Sequence, residues 1–181
     1  MNYAKIDRCE YVNGNGIGVS LYVSGCYFHC PGCFNQDAWD FDYGKHWDKE
    51  AMNKLLEYAN KPYINRITIL GGEPLAIENA SEVTNIIKKI KKELPNKEIW
   101  LYTGFTWKQI FEPAVLDVFD KKRDAYIDTV KNIVSMCDVL VDGRYIEALH
   151  DATLKWRGSS NQRVISIEKT LATGKIVLYN N

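Results

Sequence analysis

The chain has 181 residues, 46% of them apolar, and sets 23 Lys and Arg against 23 Asp and Glu. That length suits one domain with a sizeable core, and the charge balance gives neither a basic excess for nucleic acid nor an acidic tail for disorder. No run approaches the ~20 apolar residues of a membrane span, and the polar opening from Met1 to Cys9 is not a signal peptide. Five cysteines without a secretion signal indicate a reducing compartment, so a cytoplasmic protein is expected, with no nucleic-acid or membrane partner.

Taken in order, Asn13-Gly14-Asn15-Gly16 is a turn signal, but it lacks the G-x-G-x-x-G pattern with a helix directly behind it. Ile17 to Val23 reads as a strand running into Ser24-Gly25-Cys26-Tyr27-Phe28-His29-Cys30-Pro31-Gly32-Cys33-Phe34. Cys26, Cys30 and Cys33 form C-x3-C-x2-C, a spacing that brings three thiolates from one tight loop onto a soft metal centre. A structural zinc or an ordinary electron-transfer cluster usually takes four ligands. A cubane cluster on three cysteines leaves one iron free to bind something else. Zinc held with a further ligand, or three buried small hydrophobes, are the plainer readings. His29 is a poor fourth ligand because it abuts Cys30, and neighbouring side chains in an extended loop diverge. Cys9 and Cys137 read as inert core.

Beyond the aromatic turn Trp39 to Gly44, Asp48 caps a helix carrying Met52, Leu55, Leu56 and Ala59 at helical spacing. Arg66 to Leu70 is a short buried strand ending in Gly71-Gly72-Glu73-Pro74, where two glycines allow close approach to the backbone. Asn79 and Glu82 read as a capping box for a helix with the stripe Val83, Ile86, Ile87, Ile90 and Leu94. Lys88, Lys89, Lys91 and Lys92 lie mostly off that stripe, as a solvated face. Glu98 to Thr103 is a third strand, Thr106 with Gln109 caps another helix, and Pro113 breaks or restarts it. A helix follows over Lys121 to Cys137, then a strand at Val139 to Val141 closing on Asp142-Gly143-Arg144, and the tail from Arg163 to Tyr179 reads as a hairpin. Strands alternating with helices mean parallel pairing. Four or five such units are too few for a closed eight-stranded barrel, so the expected fold is α/β, an open partial (β/α) barrel or curved sheet.

C-x3-C-x2-C followed one unit later by Gly71-Gly72-Glu73-Pro74 resembles the radical S-adenosylmethionine enzymes. Val23-Ser24-Gly25-Cys26, Cys30-Pro31-Gly32-Cys33-Phe34-Asn35, Trp39, Trp100-Leu101-Tyr102-Thr103-Gly104, Leu140-Val141-Asp142-Gly143-Arg144 and Trp156-Arg157-Gly158-Ser159-Ser160-Asn161-Gln162-Arg163 narrow the resemblance to the anaerobic ribonucleotide reductase activating proteins. Gly32 stands where many radical S-adenosylmethionine enzymes have an aromatic residue, as in this subfamily. The resemblance implies one radical S-adenosylmethionine domain over 1–181, with a cluster loop at 26–33, an added helix at 120–136 and a C-terminal strand pair at 163–179. It further implies that Cys26, Cys30 and Cys33 ligate a [4Fe-4S] cluster whose fourth iron chelates S-adenosylmethionine. Gly32, Cys33 and Phe34 would lie along the adenosine, and Gly72 would bind the methionine end. Tyr102, Thr103 and Asp142 stand at strand ends, within reach of ribose or carboxylate groups or as ordinary strand-end caps.

The chemistry so implied is an oxidoreductase reaction. An electron cleaves the C5′–S bond, and the 5′-deoxyadenosyl radical takes a hydrogen from a glycine Cα of the large subunit of anaerobic ribonucleoside-triphosphate reductase, with no catalytic residue beyond the cluster ligands. The expected partners are that reductase and an electron donor such as flavodoxin. The alternatives are another small radical S-adenosylmethionine enzyme, acting on a small molecule or a different glycyl-radical enzyme, and a zinc-binding interaction module.

Overall fold

The computed structural model describes residues 1–112 and 121–179. Its first element, β1 (Asn2–Glu10), is a strand that sequence reasoning missed, because its side chains are mostly half-exposed and carry no apolar alternation. It pairs antiparallel with β2 (Gly18–Val23), which is buried along its whole length. A two-residue strand, β3 (Lys45–His46), pairs with the outer edge of β1. Three further parallel pairings then build the sheet, joining β2 to β4 (Arg66–Gly71), β4 to β5 (Glu98–Thr103) and β5 to β6 (Val139–Asp142). The last strand, β7 (Arg163–Ser166), runs antiparallel to β6, giving the order β3-β1-β2-β4-β5-β6-β7 among the described residues. The fold is mixed α/β, and the four parallel strands are those the alternating pattern predicts.

Helices cover one face of the sheet. Asp48 caps α1 (Lys49–Ala59), its carboxylate accepting the Ala51 N–H at 2.9 Å, and Leu55, Leu56 and Ala59 face the core. In α2 (Ile77–Glu93), Val83, Ile86, Ile87 and Ile90 are buried while all four of the clustered lysines are exposed. Thr106 and Gln109 make the expected capping box for α3 (Trp107–Phe111), and Pro113 lies outside the described residues. On α4 (Lys121–Ser135), Val130, Ile133 and Val134 complete a core with Leu21, Ile67, Ile69, Leu101 and Leu140 of the sheet.

Two expectations fail for identifiable reasons. Asn79 is no helix cap: α2 already begins at Ile77, and the buried Asn79 amide donates to the carbonyls of Ser24 at 2.9 Å and Glu73 at 3.0 Å. The tail is no simple hairpin: β7 passes into α5 (Ile167–Thr173), which ends at Gly174 with φ +66°, and among the described residues the returning chain pairs with β7 through one antiparallel bridge, Ile165 with Leu178, flanked by the Ser166 N–H on the Val177 carbonyl and the Tyr179 N–H on that of Val164. Short apolar runs such as this one fit either period, and Ile167 with Thr170 buried three residues apart decides for helix.

The other face of the sheet carries a buried polar group and an aromatic cluster. Arg66 is fully buried, and its guanidinium donates to Glu10 Oε1 at 2.7 Å, Thr68 Oγ1 at 2.6 Å and the Asn15 carbonyl at 3.1 Å. Burial opposes the Glu10 charge, but hydrogen bonds from Arg66 and Ser20 prevail and hold its carboxyl below the usual value. The turn at residues 13–16 folds onto this group. A Cβ on Gly14 would lie 2.5 Å from Arg66 Nε, which is why the turn needs glycine there.

Candidate metal centre

Parallel strands deliver their C-terminal ends to one edge, and here the register pairs Val23 with Gly71 and Thr103 with Asp142. The loops leaving those ends enclose a cleft with ≈ 640 Å³ of space, open to solvent. Cys26, Cys30 and Cys33 all line it, facing Gly71, Gly72 and Glu73 from β4 and Tyr102, Thr103 and Gly104 from β5.

The cysteine loop is built by backbone geometry. Gly25 has φ +93°, and a Cβ there would strike the Phe41 ring. The Gly25 and Cys26 N–H groups donate to the carbonyls of Ala38 and Trp39, closing the loop's base. Cys30 to Cys33 is a tight turn, with the Cys33 N–H on the Cys30 carbonyl at 3.1 Å and Gly32 at φ +72° behind Pro31, the pattern of a type II turn. His29 leaves the cleft and stacks on Trp39 with ring centroids 4.7 Å apart. Phe28 points inward, under the Arg144 guanidinium at 4.2 Å and edge-on to Phe105.

Glu73, not singled out from the sequence, organises the opposite wall. It is 3% exposed, and its carboxylate accepts the Leu75 N–H at 2.9 Å, the Thr103 hydroxyl at 2.8 Å and the Gly104 N–H at 2.8 Å. Gly72 packs directly on the cysteine loop, since a Cβ there would lie 2.5 Å from the Gly25 carbonyl oxygen and 2.9 Å from that of Ala38. The N–H groups of Gly72 and Glu73 donate across the same seam to Val23 and Gly25. With Asn79 bonded to Ser24, the glycine turn and the cysteine loop form one braced unit. Its signal in the sequence was the Glu and Asn following the two glycines, legible only once the neighbouring strand is in place.

The strand-end residues are occupied internally. Tyr102 donates its hydroxyl to the Trp156 carbonyl at 2.7 Å, and Thr103 serves Glu73. Asp142 accepts the Trp107 N–H at 2.7 Å and pairs with Arg163. Asn161 and Gln162 donate to the carbonyls of Arg144 and Gly143, so residues 157–163 hold the Gly143-Arg144 loop against the cleft. Phe34 lines the cleft and is 81% exposed. Gly32 lies against Glu147, whose carboxyl a Cβ would meet at 2.8 Å.

The thiols suit a cluster. Burial pushes Cys26 up to about 11 despite backbone hydrogen bonds from Phe28 and His29, and burial and Cys33 push Cys30 up despite Tyr145 and Arg144. Such thiols ionise only when a cation takes the sulfur. Among the described residues, no three or more His, Cys, Asp or Glu side chains are placed to hold one metal ion together. A cubane spreads three thiolates over three irons, so it asks for a shared cleft and not a shared point.

A family described as the 4Fe-4S single cluster domain matches residues 12–165. The chain is 35% identical over 166 residues to the anaerobic ribonucleoside-triphosphate reductase-activating protein of Enterobacteria phage T4, covering 92% of this chain and 94% of that one. It is 34% identical to the protein of the same name from Escherichia coli (strain K12), covering 91% and 97%, and 35% identical to that of Vibrio cholerae, covering 90% and 96%. The chain belongs to the family of anaerobic ribonucleoside-triphosphate reductase-activating proteins.

Membership gives the chain its cofactor class, a [4Fe-4S] cluster, in place of the zinc-binding module that the spacing also allowed. All three cleft cysteines fall inside the matched span, whereas Cys9 precedes it and is exposed on β1, not part of the core. Cys137 is buried beside Ile133, as expected of inert core. Among the described residues no helix is long and apolar enough to cross a membrane.

Proposed function

We propose that this chain activates anaerobic ribonucleoside-triphosphate reductase by reductive cleavage of S-adenosylmethionine at a [4Fe-4S] cluster, leaving a glycyl radical on the reductase's large subunit. The observation that carries this reading is the shared cleft, in which the three cysteines of the loop face the glycine turn at the end of β4. Cys26, Cys30 and Cys33 hold the cluster. Gly32, Cys33 and Phe34 run along the adenosine, and Gly72 meets the methionine end, brought there by its close packing on the cysteine loop. When bound, the cluster and S-adenosylmethionine supply the one-electron C5′–S cleavage and the radical that abstracts hydrogen.

The protein's own part is positioning and shelter. The Glu73 N–H and the Asn79 amide lock the glycine turn to the cysteine loop, and Leu70, Phe28 and Phe34 give the cleft apolar walls. Arg144 brings a positive charge towards Cys30. One radical S-adenosylmethionine domain accounts for residues 1–181. The strand order, with β3 and β7 at opposite edges, supports the open partial (β/α) barrel as its form. An electron donor such as flavodoxin reaches the half-exposed cysteine loop, and the cytoplasm, which keeps thiols reduced, is the compartment.

The test is anaerobic reconstitution with iron and sulfide, then dithionite with S-adenosylmethionine. The expected products are 5′-deoxyadenosine and, with the cognate reductase present, a glycyl radical doublet by electron paramagnetic resonance. Zinc without sulfide in the purified protein overturns the reading. Formation of 5′-deoxyadenosine without a doublet keeps the cluster chemistry and removes the reductase as substrate.

A further inference from the structure

Among the described residues only two outside glycine have a positive φ, and one of them, His29 at +44°, sits directly before Cys30. The left-handed region is costly for a residue with a side chain, although His enters it more readily than most. Here it makes the bend between two cysteines. Residues 26–29 wrap Cys26, whose sulfur receives the backbone N–H groups of Phe28 and His29. The chain then turns, and Cys30 lines the same cleft as Cys26.

A pair of rings holds that bend. The His29 imidazole lies on the Trp39 indole with centroids 4.7 Å apart and planes 22° from parallel. Trp39 closes a short helical turn (Gln36–Trp39) anchored by the buried Ala38, and its carbonyl accepts the Cys26 N–H at 3.0 Å. Trp39 lines the cleft, while the exposed His29 lies outside it. One residue thus grips the loop twice, at Cys26 through its backbone and at His29 through its ring. Outside the cleft His29 is no metal ligand, so what the stack fixes is the backbone that carries it.

We infer that His29 and Trp39 are positioning residues for the cluster, holding the bend so that the Phe28 and His29 N–H groups stay on the Cys26 sulfur and raise the cluster's reduction potential. The inference rests on the function proposed above for the seat of the cluster on Cys26, Cys30 and Cys33. Hydrogen bonds to a ligating sulfur favour the state with more negative charge, which is the reduced one. If φ at residue 29 relaxes to the negative values that most side chains prefer, the peptide between Phe28 and His29 turns and its N–H leaves the sulfur.

The experiment uses the full chain reconstituted anaerobically with iron and sulfide. The midpoint potential of the cluster is read by spectroelectrochemistry, without S-adenosylmethionine or the reductase, for wild type, His29→Val, Trp39→Leu and His29→Gly at matched iron content. Valine has no ring to stack and, being β-branched, resists the left-handed region. Trp39→Leu removes the ring beneath His29 and keeps the backbone carbonyl. Glycine loses the ring but takes the bend freely. His29→Val and Trp39→Leu should each lower the reduced-to-oxidised ratio at a fixed solution potential about tenfold, the effect of losing about one hydrogen bond. For a one-electron couple that is a shift of about 59 mV to more negative potential. His29→Gly should stay close to wild type. Unchanged potential in His29→Val or Trp39→Leu overturns the inference and leaves the proposed function standing; if one of the two takes up no iron, the other decides. A shift in His29→Gly as large as in His29→Val also overturns it, because the effect then lies in the imidazole and not in the bend. Absence of a [4Fe-4S] spectrum in the reconstituted wild type overturns the seat of the cluster on these cysteines, and this inference with it.

Discussion

The Glu73 carboxylate accepts the Gly104 N–H at 2.8 Å, tying the end of β4 to the end of β5 beneath the cleft. Burial pushes this carboxyl up to about 7 from an ordinary 4.5, against the pull of the Gly104, Leu75 and Thr103 donors. The folded chain therefore binds a proton at Glu73 that the unfolded chain has released between those two values. This contribution to stability is complete below the unfolded value and is lost as pH rises through about 7, a change on the order of 3 kcal/mol. Glu73→Gln abolishes the titration. Thermal unfolding of the iron-free proteins should show the wild type losing ground to Glu73→Gln from about pH 5 to about pH 8. Parallel pH curves would mean that the carboxylate stays ionised throughout.

Gly72 and Gly104 flank the same cleft but tolerate a side chain differently. At Gly72 an added Cβ meets backbone oxygens of Gly25 and Ala38, which the cysteine loop cannot withdraw without opening. At Gly104 its nearest neighbours are atoms of the Phe28 ring, at 2.3 Å. Gly72→Ala should therefore cost about 1–3 kcal/mol of stability and lower iron content together with S-adenosylmethionine affinity. Gly104→Ala should keep most of its iron, because a side chain yields where backbone does not. Equal iron content in the two variants would contradict the seam between the glycine turn and the cysteine loop.

The cysteines divide by position. Alanine at Cys26, Cys30 or Cys33 should remove most of the cluster absorbance and all S-adenosylmethionine cleavage. Cys9→Ala, on the exposed side of β1, should change neither. Cys137→Ala should leave the cluster intact and cost about 1 kcal/mol, the loss of a small buried group. Full cleavage activity in Cys30→Ala would end the assignment of the loop.

What could be read from the chain alone was whatever depends on local spacing. Three cysteines within one turn-rich loop, the strands at Arg66 and Glu98, the cap at Asp48 and the box at Thr106 are set by near neighbours, and near neighbours are adjacent in sequence. Strand β1 escaped because it is half-exposed, and its place in the sheet comes from β2 and not from its own pattern. Asn79 looked like a cap because its type and spacing are right for one. Only the fold shows that its amide spans 55 positions back to Ser24, a bond stronger in its claim than the helix end. Tyr102 and Thr103 likewise reach the cleft wall with their hydroxyls already given to Trp156 and Glu73. Metal-binding character was thus written in residue type and interval. Which polar groups are spent within the protein was decided by contacts between distant strands, and no interval in the sequence encodes those.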